Sequence, residues 1–81
     1  GWFNLGLIQA NEQKISDAKK SFAKVIELNP EYAYAYYALA IAAETENNKS
    51  EAIKYYKEFL KYNTDKSTAS DVKDRIKSLE K

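Results

Sequence analysis

Trp2-Phe3-Asn4-Leu5-Gly6 and Tyr36-Tyr37-Ala38-Leu39-Ala40 stand 34 residues apart and share one pattern: an aromatic residue, then Leu and a small residue three and four positions later. The same offset pairs Ala18 with Ala52, Phe22 with Tyr56 and Val25 with Phe59. Each pair keeps size class and polarity. A repeat of this length marks stacked supersecondary units, each too small to bury its apolar face alone.

Inside each unit the apolar period is helical. Trp2, Leu5, Gly6 and Gln9 share one face of a first helix, and Ile15, Ala18, Phe22, Val25 and Ile26 form the stripe of a second. Asn11 to Lys14 is polar and reads as the turn between them, with Ser16 and Asp17 suited to the following first turn. Asn29-Pro30-Glu31 supplies a cap, an N1 proline and an early acid, and predicts the start of a third helix running to about Glu46. Tyr32-Ala33-Tyr34-Ala35-Tyr36 alternates as a strand would, but Tyr37 breaks the alternation and the Ala-rich continuation favours helix. Asn47 to Ser50 breaks that helix, and a fourth carries Ala52, Tyr56, Phe59 and Leu60. Asn63 to Ser67 reads as a linker. Thr68 with Asp71 resembles a capping box ahead of a fifth helix with the stripe Ala69, Val72, Ile76 and Leu79.

Composition bounds the function classes. Eighty-one residues of 9.3 kDa make one domain at most. Scaling gives about 5,000 Å² of folded surface and burial of roughly 63% of the unfolded surface, which is marginal, and an elongated shape buries less. The 44% hydrophobic and 31% charged residues fit an ordered, soluble chain. A net charge of +1 gives no overall field toward nucleic acid or anionic membrane. Cys, His and Met are absent. A disulfide framework, a thiolate nucleophile, a zinc site and a Ser-His-Asp triad are thereby excluded within this chain. The longest uncharged apolar run, Tyr32 to Ala43, has 12 residues, too few to cross a bilayer. No signal peptide is visible, and the abrupt Gly1-Trp2-Phe3 opening is expected of a piece of a longer protein.

With Trp2, Leu5, Gly6, Ala18, Phe22 and Pro30 in one unit and Tyr36, Leu39, Ala40, Ala52 and Tyr56 in the next, the chain resembles the tetratricopeptide repeats. Two departures stand out: the Tyr that usually follows Leu-Gly is Gln9 or Ala43, and the closing proline of the second unit is Thr64. The resemblance implies an all-α helical-hairpin solenoid of about five helices. Two hairpins are expected at 1–30 and 31–64, within a repeat region of 1–66, with an amphipathic C-terminal capping helix over 67–81. First helices would line a concave groove and second helices a convex back. A non-catalytic protein–protein interaction module is implied, without cofactor or metal. The alternative is a structural role, as the C-terminal end of a longer array or a self-association module.

Catalysis needs a positioned acid, base or nucleophile. Here the candidates sit on exposed helix faces in arrangements such as Asp71/Arg75, and a solvated charged face is the expected reading. Asp65 to Asp71 lacks the alternating ligands and Gly of a calcium loop. Residues 30–48 carry three acids and no base, and residues 49–63 carry four Lys against two Glu. By the resemblance, the groove is expected to be apolar to mildly acidic and the back basic. Nucleic acid is disfavoured because acids interleave with the bases.

Tyr36, Leu39, Ala40 and Ala43 account for the core face of the third helix. Tyr34, Tyr37, Ile41 and Glu44 form a separate stripe, matched in the first unit by Phe3, Leu7 and Ala10 or Asn11. Three uses stay open: mutual packing along the groove, contact with a ligand, or contact with another copy or further repeats. The family's ligand-facing stripe falls on these positions, so Phe3, Leu7, Asn11, Tyr34, Tyr37, Ile41 and Glu44 are the expected contacts for a peptide or partner helix. Trp2, Phe3, Leu5 and Ile8 are the expected self-association surface or the docking face for upstream repeats. The Lys, Asn and Arg by which some members bind chaperone tails are replaced at the matching places by Phe3, Leu7 and Ala38, which disfavours that ligand. No membrane partner is expected.

Overall fold

The computed structural model describes residues 1–81 as five α-helices without strands: α1 (Trp2–Asn11), α2 (Ile15–Leu28), α3 (Ala33–Thr45), α4 (Lys49–Tyr62) and α5 (Lys66–Leu79). Each helix packs on the next in chain order, as α1·α2, α2·α3, α3·α4 and α4·α5. α4 repeats the limits of α2 at an offset of 34, and α5 ends 34 residues after α3. α5 therefore occupies the place of a third unit's first helix.

The two hairpin turns are built alike. Gln13 and Asn47, also 34 apart, both adopt left-handed backbone with φ of 64° and 61°. The Lys14 amide donates to the Gln9 carbonyl at 2.8 Å, and Asn48 to Ala43 at 2.9 Å. These bonds close Schellman-type ends on α1 and α3 and satisfy carbonyls that the helices leave free.

Two helix starts differ from the sequence expectation. Asn29-Pro30-Glu31-Tyr32 is a β-turn, closed by the Tyr32 amide donating to the Asn29 carbonyl at 3.1 Å, and α3 begins only at Ala33. Proline at the second turn position presets the same φ as at a helix start, so the dipeptide serves either. The fifth helix is capped by Asp65 and not by Thr68. The Asp65 carboxylate accepts from the Ser67 amide at 3.1 Å and from the Thr68 hydroxyl at 2.6 Å. The Thr68 bond, then the Ser67 amide, holds the Asp65 carboxyl below its ordinary range.

Small residues let the helices of each hairpin approach closely. Ala18, Phe22 and Leu39 form one buried cluster, and Tyr36, Ala40, Ala43, Ala52, Tyr56, Phe59, Val72 and Ile76 form the other. Leu5, on the stripe that its repeat partner Leu39 buries, is 40% exposed. Its repeat partner Leu39 is covered by α2, whereas no helix lies on that side of α1. The radius of gyration is 11.9 Å, close to about 11.7 Å for a globule of this length. Two hairpins and a helix are too few to produce an elongated stack.

Gly6 marks the tightest approach. A Cβ there would meet the Phe22 ring at 2.5 Å, and Phe22 is 1% exposed, so this packed ring would have to shift. The second unit has Ala40 over Tyr56 at the same places. In a helix Gly→Ala ordinarily gains about 1 kcal/mol, while overpacking costs about 1–3 kcal/mol. Gly6→Ala is therefore expected to destabilise despite its better helix propensity. A higher urea midpoint for Gly6→Ala would show that α1 and α2 pack less closely than described.

Candidate interaction groove

α1 and α3 flank a trough of about 560 Å³. Phe3, Leu7 and Ala10 form one wall. Tyr34, Tyr37, Ala38, Ile41 and Ala42 form the other, Phe22 and Ile15 the floor, and Gln13 and Thr45 stand at one end. No lining residue is charged. The rings of Phe3 and Phe22 are 5.7 Å apart and tilted, a favourable arrangement. Leu7, Tyr34 and Ile41 are 46%, 53% and 44% exposed and project from the walls, although the Tyr34 ring also tilts against the buried Phe59 ring at 6.1 Å.

Of the residues expected at this site, Phe3, Leu7, Tyr34, Tyr37 and Ile41 come together here. Asn11 does not line the trough; Ala10 does. The stripe of α1 that faces α3 is Phe3, Leu7 and Ala10, and 34 residues later the same stripe is Tyr37, Ile41 and Glu44, which faces α5. Asn11 corresponds to Thr45, on the opposite flank. Tyr37 is only half-exposed, since its ring packs edge-on against Phe59 at 5.2 Å and Tyr56 at 5.9 Å. The four α3 residues thus do not form one uniformly exposed strip. Trp2, Leu5 and Ile8 lie exposed on α1, outside the trough lining.

Glu44 belongs to a second cavity of about 400 Å³, lined by Tyr37, Ile41 and Glu44 of α3, Tyr56 of α4, and Asp71, Val72 and Arg75 of α5. It repeats the first trough with charge in place of apolar bulk: Asp71 and Arg75 stand where Tyr37 and Ile41 stood. Arg75 reaches across to pair with Glu44 of α3 at 2.8 Å, so this member of the Asp71/Arg75 arrangement is not merely part of a solvated face. The Tyr56 hydroxyl donates to the other Glu44 oxygen at 2.7 Å. Burial, then the Glu44 carboxylate, pushes the Tyr56 phenol well above its ordinary value. Both Glu44 oxygens are engaged, so a basic ligand residue at Glu44 would have to displace Arg75.

The sequence reasoning missed Ile15, Phe22, Ala42, Gln13 and Thr45 as lining residues, and Ala38 entered only as a place that lacks a tail-binding side chain. The signal was present in the repeat geometry. The period pairs Phe3 with Tyr37 and Leu7 with Ile41, which all line the trough, but the rest of the α3 wall (Tyr34, Ala38, Ala42 and Thr45) has no period-matched lining partner on α1. The small residues Ala38 and Ala42 leave the room that makes the wall concave.

A sequence model of the tetratricopeptide repeat matches residues 2–68. The chain belongs to the tetratricopeptide repeat family. No curated protein sequence matches it. Tetratricopeptide repeats generally mediate protein–protein interaction and are generally non-catalytic. In this member no group of three or more acidic side chains converges to hold a metal ion, and no helix is long and apolar enough to cross a membrane. The second helices carry the basic side chains expected of the back, but several are engaged. Lys19 bridges Glu46 at 2.8 Å and Glu51 at 2.7 Å, and Lys54 and Lys61 lie over the Tyr55 and Tyr62 rings.

Proposed function

We propose that this tetratricopeptide repeat chain is a non-catalytic interaction module that binds a protein partner in the trough between α1 and α3. The observation that carries the reading is the uncharged lining of that trough, with Leu7, Tyr34 and Ile41 left about half exposed along it. Apolar side chains held in water at a concave surface are the usual anchors of a partner. Tyr suits the role because its ring is rigid and its hydroxyl can stay solvated. An acidic tail finds no Lys or Arg in the lining. A peptide library displayed on phage and selected on the wild-type chain tests the reading. The selected peptides are expected to lose binding to the Leu7→Asp/Ile41→Asp double variant by about 2 kcal/mol or more, the scale of anchor residues. Both positions are exposed, so the variant should keep the parent's helix content by circular dichroism. Equal binding to parent and folded variant would remove the trough from the account.

A second reading rests on a different observation. Trp2, Leu5, Ile8 and Leu28 are exposed large hydrophobics. By the repeat, Leu5 and Ile8 correspond to Leu39 and Ala42, which are buried on α3. This face of α1 would serve self-association, or dock preceding repeats of a longer array in which α5 closes the other end. Sedimentation across a hundredfold concentration range is expected to show weak association through this face. Monomer throughout, with Trp2 fluorescence already quenched, would contradict self-association.

A further inference from the structure

We propose that the open face of α1 is a plug for α4 of a second copy of the chain, which takes it up by releasing its own α5. This rests on the reading of that face as a self-association surface and is independent of the trough. The first ground is that the fold already shows what covers such a face. Leu39 of α3, the repeat partner of Leu5, is buried with Ala18 and Phe22 of α2. Ala42, the repeat partner of Ile8, is buried as well. The matching surface is therefore a second helix that bears Ala and an aromatic ring four residues apart. α4 bears the same pair, Ala52 and Tyr56, 34 residues on. In the single chain that face is held by Val72 and Ile76 of α5, which form one buried cluster with Ala52 and Tyr56. α2 cannot serve, because α3 of its own chain fills it.

The second ground is that α5 is a replaceable occupant. It stands in the place of a first helix but buries only Val72 and Ile76. The position of Leu5 and Leu39 is taken on α5 by Lys73, which is exposed. Ile8 matches Ile76, and Asn4 falls at the place of Val72. α1 thus gains a leucine at one place and loses a valine at another, so the two plugs are close competitors. The tether separates them. Residues 63–65 join α5 to α4, and so short a connection gives an effective concentration on the order of millimolar. α5 holds the face in dilute solution, and α1 of another copy replaces it as concentration rises. The third ground is charge. α1 carries no charged residue from Trp2 to Asn11, so docking it on α4 strips no ion of water. The contact joins unlike faces and is head to tail, so further copies add in a row whose last member keeps α5 docked.

Amide hydrogen exchange on the wild-type chain, followed helix by helix across a hundredfold concentration range, tests this without any variant. Rising concentration is expected to slow exchange in α1 and to speed it in α5. A second measurement uses the full chain with Val72→Ser/Ile76→Ser, which loosens α5 without adding charge. Its association constant in sedimentation is expected to exceed the parent's by at least about tenfold. Adding Leu5→Lys/Ile8→Lys to it should abolish the gain. Should the loosened chain lose its helix content, the wild-type exchange decides alone. Slower exchange in α1 with α5 unchanged would overturn the release of α5 while leaving self-association through α1 standing. A gain in association that survives the Lys pair would mean that uncovered α4 faces pair with each other, and would also overturn the inference. Exchange unchanged in both helices at every concentration would overturn the self-association reading and this inference with it.

Discussion

Phe22→Ala is expected to cost about 3–5 kcal/mol, the usual range for deleting a buried aromatic ring. Phe22 is 1% exposed, seals against Gly6, packs with Ala18 and Leu39 and forms the floor of the trough. Few neighbours can fill the space: Gly6 has no side chain and Ala18 is already in contact. Domains are stable by about 0.05–0.15 kcal/mol per residue, so the loss is a large share of what 81 residues can supply. Urea unfolding followed by circular dichroism measures it. A midpoint within error of the parent would mean that the α1–α2 hairpin is not closed by this ring.

Removal of α5 by truncation after Asn63 is expected to have the second large effect. Val72 and Ile76 are buried within the cluster that contains Ala52, Tyr56 and Phe59. Each contributes about 1.5–3 kcal/mol as an upper estimate. Truncation would also remove Arg75 and leave Glu44, whose side chain is only 15% exposed, with the Tyr56 hydroxyl as its one partner. The shortened chain is expected to lose cooperative unfolding and to associate through the uncovered face of α4. A truncated chain that stays monomeric, equally helical and equally stable would contradict the closing role of α5.

Most of the architecture was readable because its determinants are local and repeated. The aromatic, Leu and small residues at an offset of 34 give the helix pairs, and the same offset fixes the second helices, which agree to the residue. The helix starts at Ala33 and Lys66 were less legible. Asn-Pro and Thr-x-x-Asp fit turns and caps alike, and which one forms depends on where α2 and α4 end. Asp65 takes the cap because α4 stops at Tyr62 and leaves just three residues for the turn. Leu5 has the pattern of a core residue but lies exposed, because burial depends on a neighbouring helix that α1 does not have on that side.

The site was half legible for a related reason. Phe3, Leu7, Tyr34, Tyr37 and Ile41 follow from exposed apolar positions on first helices, but the pairing of flanks depends on how those helices lie side by side. Hence, of Ala10 and Asn11, both open to the sequence, only Ala10 lines the trough. Glu44 turned out to be engaged by Arg75, 31 residues away, a contact that spacing within α5 could not reveal.

The central claim is that the α1–α3 trough is the surface where a protein partner binds. Amide shift mapping of the isotopically labelled chain, titrated with a trough-selected peptide, tests it most directly. The largest shifts are expected on Leu7, Ala10, Tyr34, Ala38 and Ile41, with Lys54, Lys57 and Lys61 on α4 unmoved. Shifts concentrated on those lysines, or on Trp2, Leu5 and Ile8, would contradict it.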